Sequence, residues 1–268
     1  MATKSTTELA WTQSSRAVPS GISFLDLPRE LRDLVYEHAL GVSGAIFIYS
    51  LNPYAFQPSV RAKIVRNKEK GPPEPQQIGT TIPIALLRTC RQVHTECSTV
   101  LYGHNVYRLY MSNAAFAPRY LPLVRHITFE MDADHRIYGD DLDTVSYWWR
   151  RRFWAQIMEK SNALLQMFPN LETLTFPIKS HLYGQTWRPA FFLSEQKTRE
   201  QRISLAASWM RLRCPFENQQ LRDCLHLEIM PFAVPNREDY EGSQFLPEDE
   251  DWDHSEFAEA FERMKMLG

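Results

Sequence analysis

The sequence predicts an α+β protein. Three observations carry this: two amphipathic segments with helix start and stop signals, short runs of β-forming residues, and a later alternation of strand-like and helix-like stretches. Residues 1–20 are polar, rich in Ser and Thr and without periodicity, and read as a disordered lead-in. The first helix is expected to open at Asp26, with Pro28 in its first turn, where a missing N–H costs little. Leu27, Leu31, Leu34, Val35 and His38 have the three-and-four spacing of one buried face, and Gly41 and Gly44 stop the helix.

Ala45 to Tyr49 reads as a short strand. Residues 52–82 contain five prolines and a basic patch from Arg61 to Lys70, the pattern of an exposed loop or insertion. Thr81 to Pro83 introduces a second helix in which Leu86, Cys90, Val93, Cys97, Val100 and Leu101 mark an apolar seam and Gly103 is the stop. Asn105 to Met111 alternates like a strand, so the N-terminal module, 21–112 with its insertion at 41–82, ends there.

The region 113–235 contains three similar strand-like pieces, Leu123–Phe129, Leu171–Phe176 and Leu221–Ile229. A helix from about Thr144 to Met167, with Trp149, Phe153, Ile157, Leu164, Leu165 and Phe168 on one side, separates the first two, and another from about Ser194 to Leu212 separates the next. Adjacent strands backed by helices follow leucine-rich-repeat logic in degenerate form, because the spacing far exceeds a repeat of about 20–29 residues. The tail, 236–268, is acidic and ends in an amphipathic helix with Phe257, Phe261 and Met264 on its apolar stripe, free either to fold back on the body or to bind elsewhere.

Composition narrows the function classes. An apolar fraction of 44% and a charged fraction of 23% are those of a globular protein with a substantial core. The net charge of −2 hides an asymmetry: 11 acidic and 3 basic residues lie from Arg237 onward, so the body carries the compensating positive excess. Cys90 and Cys97 are two helical turns apart, about 10 Å of rise and too far to bridge, and Cys214 and Cys224 have no ligand spacing around them. Reduced thiols, the lack of a signal-like N-terminus and the lack of an 18-residue apolar run point to a cytoplasmic or nuclear protein with no membrane partner.

Candidate chemistry is sparse. His94 and Cys97 share a helix but have no second ligand pair for zinc. Asp132, Asp134, His135, Asp140, Asp141 and Asp143 match no calcium loop and read as an exposed acidic loop. With neither a phosphate loop nor a nucleophile elbow, the expectation is a non-enzymatic protein without cofactor or metal. The string Trp148 to Trp154 interleaves Arg150, Arg151 and Arg152 with aromatics. That pattern serves nucleic-acid binding as the alternative, and Trp148, Arg151 and Arg152 are candidate anchors for a protein partner.

Two blocks carry a resemblance. Leu27-Pro28-Arg-Glu-Leu31 followed by Val35-Tyr36 and Leu40 resembles the opening helix of an F-box. Leu86-Leu-Arg-Thr-Cys-Arg-Gln-Val-His-Thr-Glu96, then Leu101-Tyr-Gly and Asn105, is similar to a signature of F-box-like proteins of filamentous ascomycetes. The resemblance implies a protein–protein interaction role in which Leu27, Pro28, Leu31 and Val35 dock on a Skp-type adaptor of a cullin-RING ubiquitin ligase. The chain departs from the family's pattern through the insertion at 41–82.

Overall fold

The β-forming runs of the chain assemble into one sheet, with the helices packed against it. The structure is a computed structural model and describes residues 22–51, 59–68, 70–109, 116–133, 141–180, 189, 192, 197–230 and 253–267. The first helix, α1 (Arg29–Leu40), leads into β1 (Ala45–Ser50), which pairs antiparallel with β2 (Val60–Val65). β2 pairs in turn with the two-residue β3 (Gln76–Gln77). The short α2 (Ile78–Thr81) and a 3-10 turn over Ile84–Arg88 lead to α3 (Arg91–His104) and then β4 (Val106–Leu109). The basic patch expected in a loop therefore lies partly in a strand: Arg61 pairs with Tyr49 and Lys63 with Phe47. Alternating Val, Ile and Ala gave β2 enough apolar surface to join the sheet despite the prolines around it.

From β4 onward the strands are parallel. β5 (His126–Phe129) and β6 (Met131–Ala133) face one edge of β7 (Thr173–Ser180) in the same register, and β8 (Leu225–Ile229) occupies its other edge. β5 and β6 are thus one strand interrupted at Glu130. The interruption lies beside Pro177, which has no N–H to give the ladder. The three strand-like pieces read from the sequence lie side by side in chain order, but the third begins only at Leu225: Leu221 to Cys224, read as its start, belong to a short helix. The helical run between the first two comprises α4 (Leu142–Trp148), a π-helical stretch (Trp149–Trp154) and α5 (Ala155–Met167), and α6 (Arg199–Arg211) and α7 (Gln219–Cys224) lie between the next two. The β4–β5 pairing carries the sheet across residue 112 without a break.

One face of the sheet builds the core. Ile46, Tyr107, Ile127 and Leu174 form one buried row across four strands, with Leu225 beyond, and Leu109, Phe129, Phe176 and Leu227 form the next. Trp149, Phe153, Ile157, Leu164 and Phe168 are buried as their spacing predicts. The Trp149 indole N–H donates to Cys214 Sγ at 3.1 Å and that of Trp154 to Pro215 O at 2.9 Å, so both indoles are buried with their polar edge satisfied. Cys97 and Cys214 are buried free thiols, and desolvation pushes them up to about 11 and about 12. Gly44 and Gly71, both with positive φ, bring two chain segments into backbone contact: a Cβ on Gly44 would stand 2.4 Å from Val65 O.

The acidic tail folds back. α8 (Ser255–Met266) buries Phe257, Ala260, Phe261 and Met264 against α6 and β8. Glu256 takes a two-pronged ion pair from Arg202, Nε–Oε2 2.9 Å and Nη2–Oε1 2.5 Å, and Lys265 Nζ donates to Leu225 O at 2.9 Å. Residues 1–20 and 236–252 lie outside the described residues. Because Phe261 is wholly buried, Phe261→Ala is expected to cost about 3–5 kcal/mol in urea unfolding, in a single transition. An unchanged midpoint would show that α8 is not part of the cooperative core.

Candidate partner-docking surface

The docking candidates on α1 are positioned by a buried polar cluster. Arg32 Nε donates to Glu96 Oε2 at 3.0 Å and Nη2 to Oε1 at 2.9 Å, while its Nη1 donates to Leu25 O at 3.2 Å and Leu27 O at 2.5 Å. The Tyr36 hydroxyl donates to Glu96 Oε2 at 2.9 Å, Gln92 Nε2 donates to Oε1 at 3.1 Å, and Arg29 Nη1 stands 3.3 Å from Oε1. The Arg32 hydrogen bonds above all, aided by Gln92 and Tyr36, hold the Glu96 carboxyl at about 2 against a usual 4.5, although burial pulls the other way. Burial, and then the bond to Glu96, push the Tyr36 phenol upward.

This cluster corrects the expected face of α1. The buried residues are Arg32, Tyr36 and Leu40. Leu31, Leu34 and Val35, expected in the core with Leu27 and His38, are 48%, 61% and 46% exposed; His38 and Pro28 are exposed, and Leu27 is half-buried. A helix turns about 100° per residue, so a face containing Arg32, Tyr36 and Leu40 leaves 31, 34, 35 and 38 outward. Leu25 and Ile22 are also exposed just ahead of the helix, extending an apolar patch. At the far end of the helix, Asn105 ties the ends of α1 and α3 together: its Nδ2 donates to Leu40 O at 3.0 Å and Leu101 O at 2.9 Å, and its Oδ1 accepts from Val42 N at 2.9 Å.

The seam of α3 is also shorter than its spacing suggests. Cys90 is exposed as the N-cap, its sulfur accepting from Val93 N at 3.5 Å; Leu86 is half-buried in the preceding turn, and Val93, Cys97, Val100 and Leu101 remain in the core. His94 donates from Nδ1 to Leu87 O at 2.6 Å, so its Nε2 accepts from the Tyr120 hydroxyl at 2.9 Å. Both ring nitrogens are thereby engaged. Among the described residues no three His, Cys, Asp or Glu side chains gather as a metal site. Of the acidic loop, Asp141 caps α4 and Asp143 is exposed, whereas Asp134, His135 and Asp140 lie outside the described residues.

The second group of candidates lies on the helical run 142–167. Trp149, Phe153 and Trp154 are buried, Arg150, Arg151 and Arg152 are exposed, and the half-buried Trp148 ring carries the Arg152 guanidinium 5.9 Å from its centroid. Arg150 and Arg151 stand beside a cleft of about 460 Å³ floored by Trp154, Met158 and Phe216. A third feature escaped the sequence reading, a row of half-buried side chains around the buried Thr128. On the sheet face opposite the core, Lys63, Phe47, Arg108, Thr128, Thr175 and His226 form one row across six strands. Lys63 and Arg108 both stack on Phe47, and Arg108 pairs with Glu130 at the strand interruption. Only strand order could have revealed that row, because its members are scattered from residue 47 to residue 226.

Fold and surface together define a mixed α/β protein that exposes an apolar stripe on a helix held from behind by a buried ion pair. A family model described as a domain of unknown function, DUF7730, matches residues 19–226, and the chain belongs to that family. Neither the curated proteins nor the solved structures contain a match. No described helix is long and apolar enough to cross a membrane.

The depressed Glu96 carboxyl gives a signed pH dependence. Its contribution to stability is complete above the usual 4.5 and is lost as pH falls towards about 2, where the folded form takes up its proton. Glu96→Gln is therefore expected to lower Tm at pH 7 by several degrees and to flatten the loss of stability between pH 4.5 and 2, read by thermal melts across that range. Parallel acid profiles for the two proteins would remove Glu96 from the acid transition.

Proposed function

We propose that the chain is a non-enzymatic protein–protein interaction protein that docks a partner through the outward face of α1. The observation that carries the reading is the exposure of Leu31, Leu34 and Val35 on a helix whose inner face is fixed by Arg32 and Tyr36. An apolar stripe on a rigid helix is a ready docking element for a groove in another protein. By the F-box-like resemblance, the partner is a Skp-type adaptor and the chain recruits targets for ubiquitin transfer without performing chemistry itself.

The test is co-purification with a recombinant Skp-type adaptor. Leu31→Asp and Val35→Asp should each abolish association while shifting Tm by no more than about 2 °C, since both side chains are exposed. Adaptor retention by the double variant, or no association of the wild type at micromolar concentrations, would overturn the adaptor reading. A second reading, nucleic-acid association, is favoured by three consecutive exposed arginines beside Trp148. In a filter-binding assay it requires affinity that falls steeply with salt and a slope that shrinks in Arg151→Gln. Salt-independent or absent binding would remove it.

A further inference from the structure

Three arginines line one hollow at the N-terminal end of α3. Arg88 comes from the turn before α3, Arg91 from its first residue and Arg119 from the 3-10 turn over Pro118–Leu123, around a cavity of about 510 Å³ also walled by Leu87, His94 and Thr95. All three arginines are exposed, and the wall includes no carboxylate. Among the described residues none of the three forms an ion pair; the Arg119 guanidinium stacks on the Tyr120 ring at 4.6 Å.

The arrangement is built into the fold. The chain breaks between the turn and α3 at the Cys90 cap, which sets Arg88 and Arg91 on either side of it. The Tyr120–His94 hydrogen bond, 2.9 Å, brings Arg119 across from the following turn. Like charges gathered around a concavity repel one another, and a bound anion turns that repulsion into attraction. A planar carboxylate satisfies one guanidinium fork, whereas three forks call for an anion with three acceptor oxygens. A phosphomonoester has them, and carries a charge of about −1.5 to −2 near neutral pH. The positive end of the α3 dipole adds to the attraction.

We propose that this hollow binds a phosphomonoester presented as a phosphorylated side chain of a peptide. The arginines line a cavity with half-buried Leu87 in its wall, which offers a neighbouring peptide residue an apolar contact. Neither a lipid headgroup nor a nucleic-acid backbone carries an aliphatic side chain to set against Leu87, so the apolar part of the wall favours a peptide. The site is separate from the docking face of α1, so the two readings stand or fall independently.

The test uses the full chain at fixed ionic strength. Binding of a fluorescent phosphoserine peptide with an apolar neighbour is followed by anisotropy against its unphosphorylated twin, with inorganic phosphate as competitor. Saturable binding of the phosphorylated peptide alone is expected, displaced by phosphate and weakened about ten-fold or more by Arg91→Gln and by Arg119→Gln. Arg150→Gln and Leu31→Asp should leave it unchanged, and melting curves should show every variant folded. Equal affinity for the two peptides, or arginine variants that bind like the wild type, would overturn the proposal. Capture by phosphoinositide vesicles without peptide binding would overturn the peptide assignment.

Discussion

The architecture of the N-terminal half depends on one buried ion pair, Arg32 with Glu96. Two charges withdrawn from water are tolerated only where nearly every donor and acceptor finds a partner. Here Arg32 Nη1 also donates to Leu25 O and Leu27 O, while Tyr36 and Gln92 donate to the same carboxylate. The pair thereby fixes the rotation of α1 about its own axis and the path of the Leu-Pro turn that precedes it. An apolar contact of the same area would tolerate a slip of the helix; a two-pronged ion pair with four further bonds does not.

The exposed leucines follow from that rotation. Once Arg32, Tyr36 and Leu40 face α3, nothing on the inner side remains for Leu31, Leu34 and Val35 to cover. Asn105 completes the brace by joining the carbonyl ends of α1 and α3 and starting β4, the strand that carries the sheet into the second half of the chain. A surface held in this way loses little conformational entropy when a partner binds, which is the physical advantage of a docking helix anchored by polar bonds at its back.

Much of the fold was legible in the sequence, and the reasons differ from element to element. The strands near 126, 173 and 225 and the helix ending at Met167 were readable because their burial is strongly periodic and their ends carry Pro and Asn signals. The face of α1 was not. Two stripes compete on that helix, and spacing alone favours the leucines over a stripe containing an arginine; the choice is made by Glu96, more than sixty residues away. β2 was hidden for a different reason, since prolines on both sides outweighed a run whose pairing with β1 is visible only in three dimensions. The row from Lys63 to His226 exists only through strand order.

The tail shows how charge and packing meet at the edge of the sheet. Among the described residues β8 is the last strand on its side, and a bare edge of this kind invites pairing with another chain. α8 lies against it, and Lys265 Nζ takes up Leu225 O. Three of the tail's eleven acidic residues meet the body's arginines: Asp253 and Glu259 meet Arg199, and Glu256 meets Arg202. The charge asymmetry between body and tail is therefore at least partly an internal complementarity that guides α8 to its place, where Phe257 and Phe261 then supply the burial. Exposed ion pairs such as those of Arg199 add little to stability at this distance from the core, so their part is orientation. This division of labour, charge for position and aromatic area for stability, repeats at the C-terminal end what Arg32 and Tyr36 do at the N-terminal one.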